Sequence, residues 1–168
     1  MKNLNIIDRF EDEFAFLSNF YIHTQIHDGK EYDSNEHWYQ ANKSSIEEER
    51  EAIRLARTPG IAKRMGSKKG YKKFKITLRE DWENAKIDIM MEGLMNKFSN
   101  PFLKKKLLNT YLLMLIEGNR WHDNYWGSCT CNKCKKKFKR NALGHLLMAV
   151  RERKLIEVSK KKEKKDAS

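Results

Sequence analysis

With 168 residues, 39% of them hydrophobic and four of them Trp, the chain is long enough to bury about two thirds of its unfolded surface, which excludes a disordered polymer and predicts one globular domain. Its 35 Lys plus Arg against 23 Asp plus Glu give a net charge of +12, a balance that favours phosphate-bearing or polyanionic partners. No apolar run approaches the ~20 residues of a membrane span, no signal-peptide pattern opens the sequence, and three Cys crowded into one lysine-rich stretch are not a secreted disulfide framework; we expect a cytoplasmic protein with no membrane partner.

In chain order, residues 4–7 predict a short strand, and residues 10–21, which interleave aromatics with acids, an irregular buried segment. Residues 22–26 and 30–32 flank Asp28-Gly29, a hairpin signal because glycine accepts positive φ. A helix is expected from Asp33 or Ser34 to about Ser44. A second follows from near Ser45, where Ser45 and Glu48 suggest a capping box, and stops before Thr58-Pro59. Pro59 suits the first turn of a third helix, which Gly66 can end. Residues 67–75 form a Gly- and Lys-rich loop.

Between 80 and 98, Trp82, Ala85, Ile89, Met90 and Leu94 recur at the helical period. Asn100-Pro101 breaks that helix and opens another through Leu108, while residues 111–116 fit either strand or helix. Residues 117–140 hold Gly118, Gly127, the three Cys and many charges, and are expected as a long surface loop, a feature often functional in compact domains. Asn141 is expected to cap a last helix with Leu143, Leu146, Leu147 and Val150 on one face. The fold class predicted is mainly α (α+β) with a small N-terminal β element, one domain over 1–157, and a lysine-rich tail over 158–168 expected to be disordered.

The chemistry concentrates first in residues 33–43, DSNEHWYQANK. Glu36, Gln40 and Lys43 fall at i, i+4 and i+7 and share one helical stripe, either a solvent face or the wall of a polar pocket. Glu36 either completes a capping box, if Asp33 is the N-cap, or acts as a carboxylate that polarises water or steadies positive charge on a sugar ring. Lys43 is a solvated cation, a phosphate or ribose anchor, or an amine made nucleophilic by its surroundings. His37 and Trp38 face other sides and read as core or rim.

The second concentration is WHDNYWG at 121–127. Indoles suit stacking on a nucleobase, and Asp123 suits a ribose-hydroxyl acceptor or general base; the alternative is a Trp-anchored loop held by a turn Asp. Cys129, Cys131 and Cys134 offer three sulfurs with His122 as the nearby fourth donor. Without a second paired CxxC we expect plain reduced thiols and no metal. The basic stretches 68–75, 104–106 and 133–140 either track a phosphate backbone or serve solubility. No Gly-rich phosphate loop, Ser-His-Asp order or HExxH helix is present, and no cofactor is expected.

Taken together these pieces resemble a known family, the YbiA-like or NADAR (NAD- and ADP-ribose-associated) N-glycosidases. The resemblance rests on FLSNFY at 16–21, DGKEY at 28–32, SNEHWYQANK at 34–43 and TPGIAKRMG at 58–66, then Trp82, KFSNP at 97–101, DNYWG at 123–127 and NALGHLLM at 141–148. It implies a mainly helical YbiA-like fold that hydrolyses an N-glycosidic bond at ribose C1. By that resemblance Glu36, Lys43, Trp82 and Asp123 are the expected catalytic residues, Lys43 capturing the ring-opened sugar as a Schiff base. Asn19, Phe20, Gln40, Trp126, Gly127 and Asn141 are expected to contact substrate. The implied substrate is ADP-ribosylated guanine in nucleic acid, or alternatively a phosphoribosylamino-pyrimidine intermediate of riboflavin biosynthesis. A non-catalytic ADP-ribose or nucleic-acid binding module is the reading from another class. The chain departs from many members between 127 and 141, where a Cys/Lys-rich insert replaces a Gly-rich loop.

Overall fold

Two units make up the computed structural model, which describes residues 5–166: Asn19–Lys97, and Met1–Ser18 together with Phe98–Ser168. In chain order the elements are β1 (Ile6–Ile7), a 3-10 helix (Asp12–Leu17), β2 (Gln25–His27), β3 (Lys30–Tyr32), α1 (Asn35–Ala41), α2 (Glu47–Arg54), α3 (Pro59–Met65) and α4 (Trp82–Lys97). α5 (Pro101–Leu108), β4 (Met114–Leu115), β5 (Gly118–Asn119), β6 (Ser128–Cys129), a second 3-10 helix (Asn132–Cys134) and α6 (Ala142–Asp166) complete the chain. Helix dominates and the strands are short, as the sequence predicts.

In the Asn19–Lys97 unit, β2 and β3 pair antiparallel through Asp28 and Gly29, both at positive φ (50° and 75°), the backbone a two-residue hairpin turn requires. The hairpin leads into α1, which packs against α2, α3 and α4 and has all seven residues buried. Such a helix is tolerable only if its polar groups are satisfied inside the protein. His37 lies between Ser34 Oγ (2.8 Å) and the Ala56 carbonyl (2.9 Å). Because that carbonyl can only accept, Nε2 carries the ring proton and Nδ1 accepts from the serine hydroxyl. Trp38 Nε1 donates to the Ile89 carbonyl at 3.1 Å, and its ring stacks on His27 with centroids 3.7 Å apart. Burial pushes the His27 imidazole down to about 4, so it stays a neutral aromatic in this core. His37 and Trp38 are core residues.

The starts of α3 and α5 follow local chemistry, and that of α2 does not. Thr58 caps α3 by accepting from the Ile61 amide, with Pro59 in the first turn, and Asn100 caps α5 ahead of Pro101. For α2 the expected Ser45–Glu48 box does not form. Ser44 instead accepts from the Ile46 amide (3.0 Å) and donates to Glu49 (2.7 Å), which also takes the amide and hydroxyl of Thr77. That tertiary contact, 28 residues downstream, displaces the local pattern.

In the other unit, β1 runs parallel to β4 with Ile6 opposite Met114 and Ile7 opposite Leu115, settling the 111–116 ambiguity as a short strand. The expected irregular 10–21 segment contains the 3-10 helix, which buries Phe16 and Leu17. α6 packs on α5 and β4 through Leu143, Leu147 and Val150, while Arg151 donates to the carbonyls of Thr110 and Leu113 (2.6 and 3.0 Å). α6 continues through Asp166, carrying into regular helix the 158–166 stretch expected to be disordered. Lys and Glu are good helix formers, and Lys154 pairs with Glu157 three residues on, at 3.2 Å. Leu4 of the expected 4–7 strand and Ala167 and Ser168 of the tail lie outside the described residues. Among the described residues no helix is long and apolar enough to cross a membrane.

Candidate active site

The N-cap of α1 is Ser34, whose side chain accepts from the His37 amide. Glu36 therefore occupies the second helical position and not the third, and the capping box the sequence allowed for it does not form. Its carboxylate is held elsewhere: Gln40 Nε2 donates to Glu36 Oε1 at 2.7 Å, and both side chains are buried. The backbone around Glu36 is fixed from outside the helix by its amide donating to the Asn19 carbonyl (3.0 Å). Asn19 Oδ1 in turn accepts from Asn35 Nδ2 (2.8 Å). A buried carboxylate whose position is set by an amide one turn away is a preorganised charge, not a solvated one.

Gln40 is positioned by a glycine. A Cβ at Gly66 would lie 2.1 Å from Gln40 Oε1 and 3.0 Å from its Cδ, so only Gly admits the amide in its observed place. Gly66→Ala is expected to fold, because the end of a glutamine side chain can swing away. Turnover should fall on the order of 10²-fold, since Gln40 would then no longer hold Glu36 in register. A thermal melt alongside a turnover assay checks this; wild-type turnover in the alanine variant would show that the Gln40–Glu36 contact has no part in the chemistry.

Lys43 continues the stripe just beyond α1. Its Nζ donates to the Gly66 carbonyl at 3.0 Å and lies 5.5 and 5.6 Å from the ring centroids of Tyr39 and Trp82, which are themselves 5.1 Å apart. The Lys43 carbonyl accepts from the Arg79 amide (2.8 Å), and the Arg79 carbonyl from the Trp82 amide (3.2 Å), which ties the start of α4 to the end of α1. Burial between two rings pushes the ammonium down to about 8; Glu36 opposes that shift and the like charge of Lys63 adds to it. At pH 7 about a tenth of such an amine is neutral, against roughly 0.03% for an ordinary lysine. That is the environment of an activated amine.

Within this unit the structure thus brings together Glu36, Gln40, Lys43 and Trp82, with Asn19 bonded behind Glu36. Phe20 is partly exposed and carries Lys63 Nζ 5.4 Å from its ring centroid. Tyr39, Lys63 and Gly66 were not named as site residues from the sequence, although signals existed. Tyr39 precedes Lys43 by four residues, and Lys63 lies in the short helix that Pro59 opens and Gly66 ends.

Asp123, Trp126, Gly127 and Asn141 belong to the other unit. Asp123 Oδ1 accepts from the amides of Tyr125 (3.0 Å) and Trp126 (2.9 Å), which holds the turn. The carbonyls of Tyr125, Trp126 and Gly127 accept from the amides of Ala142, Leu143 and Asn141, so this loop closes the first turn of α6. A Cβ at Gly127 would lie 2.4 Å from the Glu117 carbonyl. Asn141, at φ 48°, immediately precedes α6, and its backbone carbonyl accepts from the His145 amide (3.1 Å). Its Oδ1 accepts from the Glu117 amide and its Nδ2 donates to the Leu115 carbonyl, joining α6 to the strand segment. The 117–140 stretch is less of a surface loop than predicted, since β5 and β6 pair parallel within it and Asn119, Cys129 and Cys134 are buried.

A family model described as the NADAR domain matches residues 7–154. The N-glycosidase YbiA of Escherichia coli is 36% identical over 147 residues, covering 87% of this chain and 85% of that protein. A maize (Zea mays) protein named riboflavin biosynthesis protein PYRR, chloroplastic, is 35% identical over 161 residues, covering 88% of this chain and 25% of that protein. The NMR structure of E. coli YbiA superposes with a TM-score of 0.73 at 32% identity, over 93% of this chain and 92% of that one.

Proposed function

The chain belongs to the NADAR domain family, and on that premise we propose that it is an N-glycosyl hydrolase cleaving the bond between ribose C1 and a base or amine nitrogen. One observation carries the reading: a lysine amine pushed down to about 8 beside a carboxylate fixed by Gln40. The naming of relatives as N-glycosidases supports it.

As the C1–N bond breaks, positive charge develops on C1 and the ring oxygen, and the departing nitrogen takes up a proton. Glu36 stabilises that charge, an effect that is large where the carboxylate is already oriented and water is excluded. Lys43 Nζ adds to C1 and the ring oxygen leaves C1 as a hydroxyl, which gives an imine. One water then adds back, releasing the sugar aldehyde and restoring the amine. Trp82 and Tyr39 keep Lys43 desolvated, and Lys63 supplies positive charge for a phosphate.

We take ADP-ribosylated guanine in nucleic acid as the substrate, on the strength of the +12 charge and the basic stretches, which a phosphate backbone rewards. A second reading, a phosphoribosylamino-pyrimidine of riboflavin biosynthesis, is favoured by the similarity to the maize protein. Incubation with an ADP-ribosylated oligonucleotide and, separately, with the pyrimidine is expected to release ADP-ribose from the first. Release of ribose phosphate from the second alone would move the substrate to the second reading. Tight ADP-ribose binding with release from neither would contradict hydrolysis and favour a binding module.

The family resemblance assigns Asp123 to the same chemistry. Asp123→Asn retains an oxygen for the Tyr125 and Trp126 amides while removing the charge, so it separates turn-building from proton handling. The expected outcome is an unchanged melting temperature with turnover lowered by about 10²-fold or more; full turnover would leave Asp123 as a turn residue.

A further inference from the structure

The structure gathers His122, Cys129, Cys131 and Cys134 so that one ligand atom from each lies within 4.8 Å of every other, and we propose that these four residues form a structural zinc site. The sequence offered a CxCxxC run with an isolated His seven residues upstream, a spacing from which plain reduced thiols and no metal were expected. His122 Nδ1 is 3.3 Å from Cys134 Sγ and 3.2 Å from Cys131 Sγ. Ligands at ~2.0 Å (N) and ~2.3 Å (S) from a tetrahedral ion have edges of roughly 3.5–3.8 Å, so closing the shell needs only small side-chain rotations.

Three features of the backbone build this cluster. β6 ends in Cys129, held in register by pairing with Asn119 and by its amide donating to Asn124 Oδ1 (3.1 Å). Cys131 then opens the 3-10 turn of Asn132–Cys134, in which the Cys134 amide donates to the Cys131 carbonyl (3.0 Å). This tight turn brings two sulfurs three residues apart onto one side. His122 adopts φ 70°, an uncommon conformation for a residue with a side chain, and its ring reaches Cys131 and Cys134 from there.

The chemistry selects the ion. Three thiolates and one imidazole are soft and borderline donors suited to tetrahedral zinc, and four protein ligands leave no open position, which makes the site structural and not catalytic. Binding Zn²⁺ converts three thiols to thiolates with release of three protons and leaves the centre with one net negative charge. Six Lys or Arg residues between 133 and 140 supply positive charge in the adjoining chain. Zinc here fastens His122, and with it the neighbouring Asp123–Trp126 turn, to β6 and the 3-10 turn.

The test is metal analysis of the full chain purified under reducing conditions and dialysed against metal-free buffer. The expected result is about one zinc per chain, with X-ray absorption showing three sulfurs at ~2.3 Å and one nitrogen at ~2.0 Å. Cys131→Ser and Cys134→Ser, each made separately, should lose most of that zinc. Because either could misfold, the apo wild type is also titrated with Zn²⁺, and a rise in melting temperature saturating at one equivalent is expected. Failure of reduced protein to hold or take up zinc overturns the proposal. So does zinc that survives both substitutions, or a mass 2 Da low that marks a disulfide between two of the cysteines. None of these readouts depends on glycosidase activity, so the zinc site and the enzymatic reading stand or fall separately.

Discussion

Glu36→Gln is expected to fold and melt like the parent protein while losing about 10²–10⁴-fold in turnover, the usual contribution of a positioned acid–base or charge-stabilising group. The fold should survive because the substitution is isosteric and the new amide oxygen can still accept from Gln40 Nε2, the 2.7 Å contact that holds the carboxylate now. The α1 cap belongs to Ser34, so helix initiation does not depend on Glu36. What disappears is the negative charge beside the developing cation. Substrate affinity should change far less than turnover, since a charge that acts in the transition state contributes little to ground-state binding. Glu36→Ala serves as the harsher control; it should reduce turnover at least as far and also cost stability by leaving Gln40 Nε2 without its buried acceptor.

The second large effect is the pH profile set by Lys43. A nucleophilic amine works in its neutral form, so burial that brings its titration down to about 8 places the transition inside an accessible range. Turnover should climb with pH below 8, approaching tenfold per unit, and level off above it; between pH 7 and pH 9 the neutral fraction grows about tenfold. Lys43→Arg keeps the positive charge and removes the nucleophile, and is expected to abolish this limb together with the activity. A lysine acting only as a phosphate anchor would give the opposite sign, with activity falling as the amine deprotonates above pH 8. Lys63→Met removes the like charge that lowers Lys43, and should move the midpoint upward.

Much of this arrangement was legible in the residues themselves. The i, i+4, i+7 spacing placed Glu36, Gln40 and Lys43 on one stripe, and Asp28-Gly29, Pro59 and Pro101 marked turns and helix starts that the structure keeps, because each expresses a backbone constraint local to a few residues. The illegible parts all depend on distant chain. Glu49 is captured by Thr77 and so overrides the Ser45–Glu48 pattern. β1 lies within the strand expected at residues 4–7, but β4, two residues inside the ambiguous 111–116 run, is identified as strand only by its pairing with β1 across more than a hundred positions. Glu36 was assigned to a capping box as readily as to a site, since the choice turned on a single residue of register at Ser34. The depressed amine of Lys43 needed Tyr39, Trp82 and Gly66 around it, contributed by three separate segments. The cysteine cluster needed the unusual backbone at His122, which no spacing rule foretells.

Borohydride reduction during turnover, followed by peptide mass spectrometry, is the measurement that bears most directly on a lysine-centred N-glycosidase. Reduction of the imine should leave the ADP-ribosyl group as a stable secondary amine on Lys43, dependent on substrate and missing in Lys43→Arg, while Glu36→Gln should form it slowly. Rapid hydrolysis of the same substrate with no adduct, or with the adduct on another lysine, would contradict the covalent role of Lys43.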